Sequence, residues 1–541
     1  MHRFLSVLLA VALVAPALRA AGITVTPVRA PHGMVVAGHP EAAQIGADVL
    51  AAGGNAMDAA VAVSLALGVA EPYGSGLGGK LTFLYHDAKS GKTFAVDALD
   101  AAGSKFSLEQ SAALGDAGRE GWPTVCVPGL AAGLHKGHRR WGRRPLADNV
   151  APVIRLAREG FTVLPKTRLL YGEQQAKLRK PFAAEAAAIY APQGELPAAG
   201  SRQANPDLAR TLERFAREGR DGFYRGPVAE AIVAAAQQGG GWLTLEDFAR
   251  YDVRVAEPLR AEVAGRTLLG VLPPSYGGAV IFAALEELEK AHLTAPLRSA
   301  AQLDAVGRTY LKILQHGRQL GDSDESRALA RRIAAQGVAG LPVAPAGPGN
   351  EGTTHFAVVD AEGNIVCATQ SLSLHFGAGV VAPGTGVVMN NSMSNFTYRP
   401  GSANTAALGR RPTSTIAPII VLEQGRPVLA IGLPGSTRIP SGLLQVLADH
   451  LLLGRALEDA IGDTRVQWVD VVGSRRNRFE SENTLPAEVI DALTALGWEV
   501  DAKRVPGGGS HFGGVNVITL NADGSRTGYA DPRRTNAAIG H

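Results

Sequence analysis

GNEGTTHFAVVDAEGNIVCATQSL, residues 349–372, is the stretch on which the reading of this chain turns. THFAVVD and IVCATQSL each carry the apolar alternation of a strand, and AEGN between them is a glycine turn, so the stretch reads as a β-hairpin. A hairpin brings its two ends together, which sets Thr353 beside Ser371. Upstream, LPVAPAGPGNEG (341–352) is rich in proline and glycine and runs straight into the first strand. Most such joins are loops meeting sheets. This one also has a chemical use. A threonine hydroxyl is a poor nucleophile because its alkoxide is scarce at neutral pH. As the first residue of a chain, threonine gains an α-amino group of pKa about 8 that can act as its general base. The precursor is then cut before Thr353: the hydroxyl attacks the preceding carbonyl, and water releases the ester.

The hairpin form recurs downstream. TIAPIIVLEQGRPVLAIGL turns around Gln424-Gly425, and VNVITLNADGSRTGYAD turns around Asp523-Gly524. SGLLQVLADHLLLG and LPAEVIDALTALG lie between these two and read as helices, so the C-terminal third is strand-rich with intercalated helices. The first two-thirds is mainly helical. Residues 33–70 read as two helices, HPEAAQIGADVLAAGG and NAMDAAVAVSLALGVAEP, the second capped by Asn55 and stopped before Pro72. The glycine-rich turn GSGLGG (74–79) leads to a short strand, LTFLYHD. Ala-rich helical patterns dominate from about 130 to 340, interrupted by VLPPSYGG at 271–278. There is no short-period repeat of the kind a solenoid needs.

Composition places the chain among ordinary globular proteins: 541 residues, 46% hydrophobic, 19% charged, with 65 glycines that imply many tight turns. Basic residues are dispersed apart from HRRWGRR (138–144), read as a solvated helix end or loop, so no nucleic-acid footprint is present. MHRFLSVLLAVALVAPALRA matches a cleavable secretory signal over residues 1–20, its apolar run being too short to span a bilayer. The mature protein is then periplasmic or secreted, with no membrane attachment. Removing Arg3 and Arg19 with the signal takes the formal charge from +4 to +2. Cys126 and Cys367 are the only cysteines, and two buried free thiols are the expected state, although one bridge is conceivable. The histidines and cysteines show no metal-ligand spacing.

Several motifs occur in one order over some 500 residues: GMVVAGHPEAAQIGADVLAAGGNAMDAAVA, PYGSGLGG, LPPSYGG, TTHFAVVDAEGNIV, GTGVVMNN, RRPTSTIAPIIV, LPGSTR and ADPRR. Together they resemble the γ-glutamyltranspeptidase family of N-terminal-nucleophile hydrolases, from about residue 33 to 534. The resemblance implies an α/β (α+β) fold, a four-layer αββα sandwich built by two chains from one precursor. It implies self-cleavage between Gly352 and Thr353, a mainly helical large subunit (21–352) and a small subunit (353–541) sharing one intertwined catalytic domain. Thr353 maps onto the nucleophile, Ser371 onto a supporting hydroxyl, and Gly435 with Ser436 onto the oxyanion-hole pair. Ser414 and Thr415 retain the two hydroxyls that contact a substrate carboxylate. No cofactor and no metal is implied. His355 is expected to be packed or hydrogen-bonded in its strand rather than to act as a base.

The acyl pocket departs from the family. In place of the arginine of D-x-R-E-x-A-P, which holds the glutamyl α-carboxylate, the aligned stretch has Leu99, which cannot make a bidentate charged contact. In place of the aspartate for the α-amino group stands Asn395, and Ser373 and Ser392 replace an amide side chain. A zwitterionic glutamyl head would be desolvated without partners at either end. Lys80 reads either as an exposed turn residue or as a replacement cation, and Lys105 is a weaker candidate of the same kind. The connection TYRPGSANTAALGRR (397–411) is short beside members that carry a lid, which tilts the expectation towards hydrolysis over transfer to an amine acceptor. Three functions follow: an amide hydrolase or acyltransferase with a non-standard acyl group; a γ-glutamyltransferase or glutathione hydrolase with a rebuilt pocket; a binding protein that kept the fold and lost the activity. The partners expected are a small amide or γ-glutamyl-type substrate and water or an amine.

Overall fold

A computed structural model describes residues 23–113, 120–293, 299–341, 352–398, 400–470, 477–482, 484–503 and 510–541. The expected signal segment and nearly all of the Pro/Gly-rich run before Gly352 lie outside the described residues.

The hairpin of the opening stretch forms as read. Thr353–Val359 pairs antiparallel with Ile365–Ser371, and both strands are buried along their whole length. They sit at the centre of a seven-stranded antiparallel sheet. Across it the order is Ala537–Gly540, Met34–Ala37, Thr353–Val359, Ile365–Ser371, Lys80–Asp87, Lys92–Ala98 and Arg254–Ala256. A second seven-stranded antiparallel sheet packs on the first. It runs Val28–Ala30, Arg526–Ala530, Asn516–Leu520, Arg426–Gly432, Ile419–Glu423, Arg266–Gly270 and Leu259–Val263. The other two expected hairpins are thus both in this sheet.

Side-chain alternation divides the core into layers. Ala357, Val359, Ile365 and Cys367 face inward and meet Ile420, Leu422, Ala430 and Ile518 of the second sheet. Phe356, Val358, Val366 and Ala368 face outward into helices that include Pro40–Ala51, Ala56–Ala70 and Leu130–Trp141. Gly277–Lys290, Ala300–Gly317 and Arg438–Leu447 cover the far face of the second sheet. The architecture is a four-layer αββα sandwich, as expected, and strands from both sides of the Gly352–Thr353 bond interleave in each sheet.

Local chemistry explains the ends of these elements. Asn55 caps Ala56–Ala70, and Asp58 completes the box by accepting the Asn55 N–H. Asp58 also accepts the N–H groups of Arg143 and Arg144, so the HRRWGRR segment is a helix end whose backbone is anchored while its arginines reach solvent. The reading of a mainly helical first two-thirds missed Lys92–Ala98, Arg254–Ala256, Leu259–Val263 and Arg266–Gly270. Leu259–Val263 alternates buried and exposed with Arg260 and Glu262 outward, a strand pattern too short to stand out amid Ala-rich helices. Met34–Ala37 is likewise a strand at the start of a segment read as helix. Cys126 and Cys367 are buried free thiols, as expected.

Candidate active site

The register places Thr353 directly opposite Ser371. Thr353 Oγ1 donates to Ser371 Oγ at 3.2 Å, and Ser371 Oγ donates in turn to the Gly352 carbonyl at 2.5 Å. Ser371 Oγ also accepts the Ser373 N–H at 2.8 Å, which fixes its remaining geometry. A hydroxyl and the carbonyl of its own preceding residue therefore share one serine. Gly352 is at φ 141°, where a Cβ would lie 2.3 Å from the Leu374 carbonyl carbon, so only glycine fits without displacement. Thr354 points to the other face, towards Gly38 and Glu71.

Thr353 and Ser371 open onto a cleft lined also by Lys80, Tyr276, Ser373, Asn395, Thr413, Ser414, Thr415, Ile416 and Ser436. Lys80 is the only cationic side chain of this lining among the described residues. It is 3% exposed and opens the strand Lys80–Asp87, which overturns the exposed-turn reading. Its ammonium donates to Ser373 Oγ and, at 3.2 Å, to Ser392 Oγ. Ser392 Oγ donates to Asp100 Oδ2 at 2.5 Å, linking the lysine to a fully buried carboxylate. Burial pushes Asp100 up to about 7 against the pull of Lys80, and burial lowers Lys80 against the pull of Asp100. An ammonium has three donors, and the third N–H of Lys80 has no protein partner among the described residues. Arg411 is committed elsewhere: it pairs with Asp97 at 2.6 Å and lies over the Tyr251 ring.

Gly435 and Ser436 form the turn between Arg426–Gly432 and the helix Arg438–Leu447. Ser436 is at φ 60° and Ser373 at φ 78°, left-handed conformations that cost a non-glycine residue about 1–3 kcal/mol each. Thr415 Oγ1 holds the Ser436 carbonyl at 2.8 Å. Among the described residues neither the Gly435 nor the Ser436 N–H has a hydrogen-bond partner, so both can receive developing negative charge at a helix N-terminus. From the C-terminal ADPRR motif, Arg534 Nη1 donates to the Thr353 carbonyl at 2.8 Å. Its neighbour Arg533 is buried against Glu482 at 2.7 Å and Asp531 at 3.2 Å, which anchors the segment.

The expected site residues converge with two exceptions. Thr353, Ser371, Ser373, Asn395, Ser414, Thr415 and Ser436 line one cleft. Ser392 stands behind it, Gly435 lines an adjoining cavity, and Gly352 lies between the two. Leu99 does not reach the cleft: it is buried, and its carbonyl accepts the Tyr251 hydroxyl at 2.6 Å. Lys105 is exposed and is not part of the lining. His355 is buried, bonded to Thr369 Oγ1 at 2.8 Å, and lowered to about 3 by burial, so it is no base at neutral pH. Sequence reasoning missed Tyr276, Thr413, Asp100 and Arg534. Tyr276 and Arg534 lie inside motifs already singled out, LPPSYGG and ADPRR, which was the available signal. Asn395 Nδ2 donates to Ser373 Oγ at 3.1 Å, and its buried Oδ1 has no partner among the described residues.

Known proteins resemble this chain along most of its length. The family profile described as Gamma-glutamyltranspeptidase matches residues 42–541. A "Glutathione hydrolase proenzyme" of Bacillus subtilis (strain 168) is 30% identical, over 94% of this chain and 91% of that protein. An "Acylase ACY 1 proenzyme" of Pseudomonas sp. (strain SE83) is 34% identical, over 93% of this chain and 92% of that protein. The crystal structure of cephalosporin acylase from Bacillus halodurans superposes with a TM-score of 0.83 at 27% identity, covering 98% of each chain.

Proposed function

The chain belongs to the gamma-glutamyltranspeptidase family, and we propose that within it this protein is a self-processing amide hydrolase for an anionic acyl group without an amino-acid head. A monoamide of a dicarboxylic acid is the substrate class that fits. The observation that carries the reading is Lys80, a buried ammonium with an unused donor in the cleft that Thr353 enters. A carboxylate at the far end of the acyl chain supplies the missing acceptor. Among the relatives, both a glutathione hydrolase and an acylase resemble the chain at similar identity, which supports the reaction class and leaves the acyl group to the pocket.

In the proposed sequence, Thr353 Oγ1 attacks the Gly352 carbonyl carbon while Ser371 hydrogen-bonds the oxygen that becomes negative. The Gly352–Thr353 C–N bond breaks, the proton of the hydroxyl passes to the departing nitrogen, and water cleaves the ester. Two subunits, 21–352 and 353–541, then share both sheets. In the second reaction the new α-amino group takes the Thr353 proton as the hydroxyl attacks the substrate amide. The N–H groups of Gly435 and Ser436 serve the oxyanion, a contribution of about 3–4 kcal/mol for one such donor. Ser414 and Thr415 bound the acyl chain. Gly352→Ala is expected to slow the cut by about tenfold or more, because the added methyl displaces the carbonyl from Ser371. Cutting at the wild-type rate, followed on a gel, would refute that account.

Hydrolysis is favoured over transfer. In the 397–411 connection, Asn404 Nδ2 donates to the Asn395 carbonyl at 2.7 Å and Asn404 Oδ1 accepts the Thr413 N–H at 3.0 Å. The described part of this short segment folds back beside the mouth, which supports water entry. The segment at 1–20 supports export to a periplasm or medium.

The test compares a glutaryl anilide with the γ-glutamyl anilide, which differs by the α-amino group. The glutaryl compound is expected to lead in kcat/KM by about tenfold. Its KM is expected to rise as pH passes up through about 7, since Asp100 then ionises and competes for Lys80. Arg411 stays charged nearby, while Cys126, Tyr224 and Tyr251 are pushed up by burial and stay neutral. Any loss of the Lys80 proton acts in the same direction. The rate of turnover at saturation should instead climb towards pH 8 as the α-amino base deprotonates. A KM flat across this range would count against the Lys80–Asp100 arrangement. The second reading, a γ-glutamyl enzyme with a rebuilt pocket, has one observation in its favour: the unpartnered Asn395 Oδ1 could accept an ammonium. A γ-glutamyl preference abolished by Asn395→Ala would establish it.

A further inference from the structure

A base in the form of an α-amino group works only when neutral, yet an ordinary α-amine of pKa about 8 is mostly protonated at pH 7. Beside Thr353 stands a cation with no task in the reaction as derived so far. Arg534 Nη1 donates to the Thr353 carbonyl at 2.8 Å. The nitrogen and carbonyl oxygen of one residue are about 3 Å apart, so this guanidinium nitrogen lies within about 6 Å of the Thr353 nitrogen. Arg534 is 7% exposed, which leaves little water to screen its charge. Its buried Nε has no partner among the described residues. Among those residues no carboxylate forms an ion pair with Arg534, whereas the adjacent Arg533 is matched by Glu482 and Asp531. The backbone around it is pinned. Lys166 Nζ donates to the Arg534 carbonyl at 3.3 Å, and Thr535 Oγ1 donates to the Gly38 carbonyl and, at 3.2 Å, to Glu71 Oε1.

Other charges surround the Thr353 nitrogen. Lys80 lies in the acyl cleft, its charge shared with Asp100. The adjoining cavity brings Glu173, His375, Arg438 and His511. Glu71 lies across the strand and accepts the Tyr73 hydroxyl at 2.7 Å. Burial pushes Tyr73 up and His39 down, so both stay neutral. Lys166 and Asp531 belong to the segments that hold Arg534.

We propose that Arg534 is an electrostatic positioning residue: it fixes the Thr353 carbonyl and keeps the α-amino group of the cut enzyme neutral near pH 7. The inference rests on the Thr353 acyl-enzyme reading. A nearby cation disfavours the ammonium form, and the effect grows where water is excluded. In each round the neutral amine takes the Oγ1 proton as the Oγ1–acyl bond forms. The acyl C–N bond breaks and that proton passes to the leaving nitrogen, which returns the amine to its neutral form. Water then attacks the ester with the same amine as base, so either half of the reaction reports its protonation.

The experiment follows kcat of the cut enzyme from pH 5 to 10 with saturating amounts of whichever anilide it favours. Saturation removes the KM effect of Lys80 and Asp100. The wild-type midpoint is expected at about pH 7, about one unit below an ordinary α-amine. In Arg534→Met it should move up by about one unit, and Arg534→Lys, which keeps a charge, should reverse at least about half of that shift. A midpoint does not depend on the fraction of a preparation that is cut or folded. A purely structural role therefore lowers the plateau and leaves the midpoint in place. A wild-type midpoint at about 8 or above would overturn the proposal with the Thr353 chemistry intact. It would show that Glu71, Glu173 and the new Gly352 carboxylate govern the amine instead. A midpoint unmoved in Arg534→Met would overturn it as well. Where Arg534→Met is not cut, the wild-type midpoint and Arg534→Gln decide in the same way. An uncut, inactive wild-type chain would overturn both readings.

Discussion

Thr353→Ala is expected to yield one uncut polypeptide where the wild type runs as two pieces, and to lower amide hydrolysis by at least about 10⁴-fold. The size of the effect follows from two functions resting on one residue. Its hydroxyl makes the cut, and the cut creates the amine that later activates the hydroxyl. Thr353→Ser keeps both groups and should be cut and active at a reduced rate, because serine lacks the methyl that limits χ1. Thr354→Ala is the internal control. Thr354 faces Gly38 and Glu71 on the opposite side of the strand, so its loss should leave the cut in place. Gel electrophoresis with N-terminal sequencing of the smaller piece reads the first result, and release of aniline reads the second. A Thr353→Ala chain that is still cut before position 353 would refute the self-processing reading.

Lys80→Met is expected to lower kcat/KM for a glutaryl anilide by about 10²–10³-fold, the range for removing one partner of a buried charge pair. The butyryl anilide, which has no terminal carboxylate, should change far less, and the ratio of the two substrates is the diagnostic quantity. Removing the lysine also leaves Asp100 without its cation. Burial already lifts that carboxyl to about 7, so it can take up a proton instead of remaining a lone buried charge, which limits the damage to folding. A Lys80→Met, Asp100→Asn double variant removes both charges and should recover stability without recovering glutaryl turnover. Unchanged glutaryl kinetics in Lys80→Met would remove the basis for an anionic acyl group.

Much of the fold was legible because strands and turns have local signatures. Gln424-Gly425 and Asp523-Gly524 marked their hairpins, and Asn55 with Asp58 marked a helix start. The short strands at 254–270 were not legible, since five alternating residues inside a helical stretch carry little periodic signal. In the site, the hydroxyls of Thr353 and Ser371 could be paired from the hairpin alone. Leu99, expected in the acyl pocket by alignment with the family's arginine, instead lies buried outside the cleft with its carbonyl bonded to the Tyr251 hydroxyl, because a short motif match fixes position along the chain and not which way the side chain packs.

By itself the sequence determined the hairpin, and with it the meeting of Thr353 and Ser371, because antiparallel pairing fixes which residues oppose each other. It also made one of two adjacent threonines face the cleft and the other face away, since side chains alternate along a strand. What only the tertiary structure decided was the charge of the pocket. GGKLTF looks like a turn before a strand, and nothing local says whether its lysine meets water. Lys80 is buried because Ser373, Ser392 and Asp100 are brought around it from distant parts of the chain. A buried ammonium exists only where such partners converge, and convergence belongs to the packed sheets and not to any window of sequence.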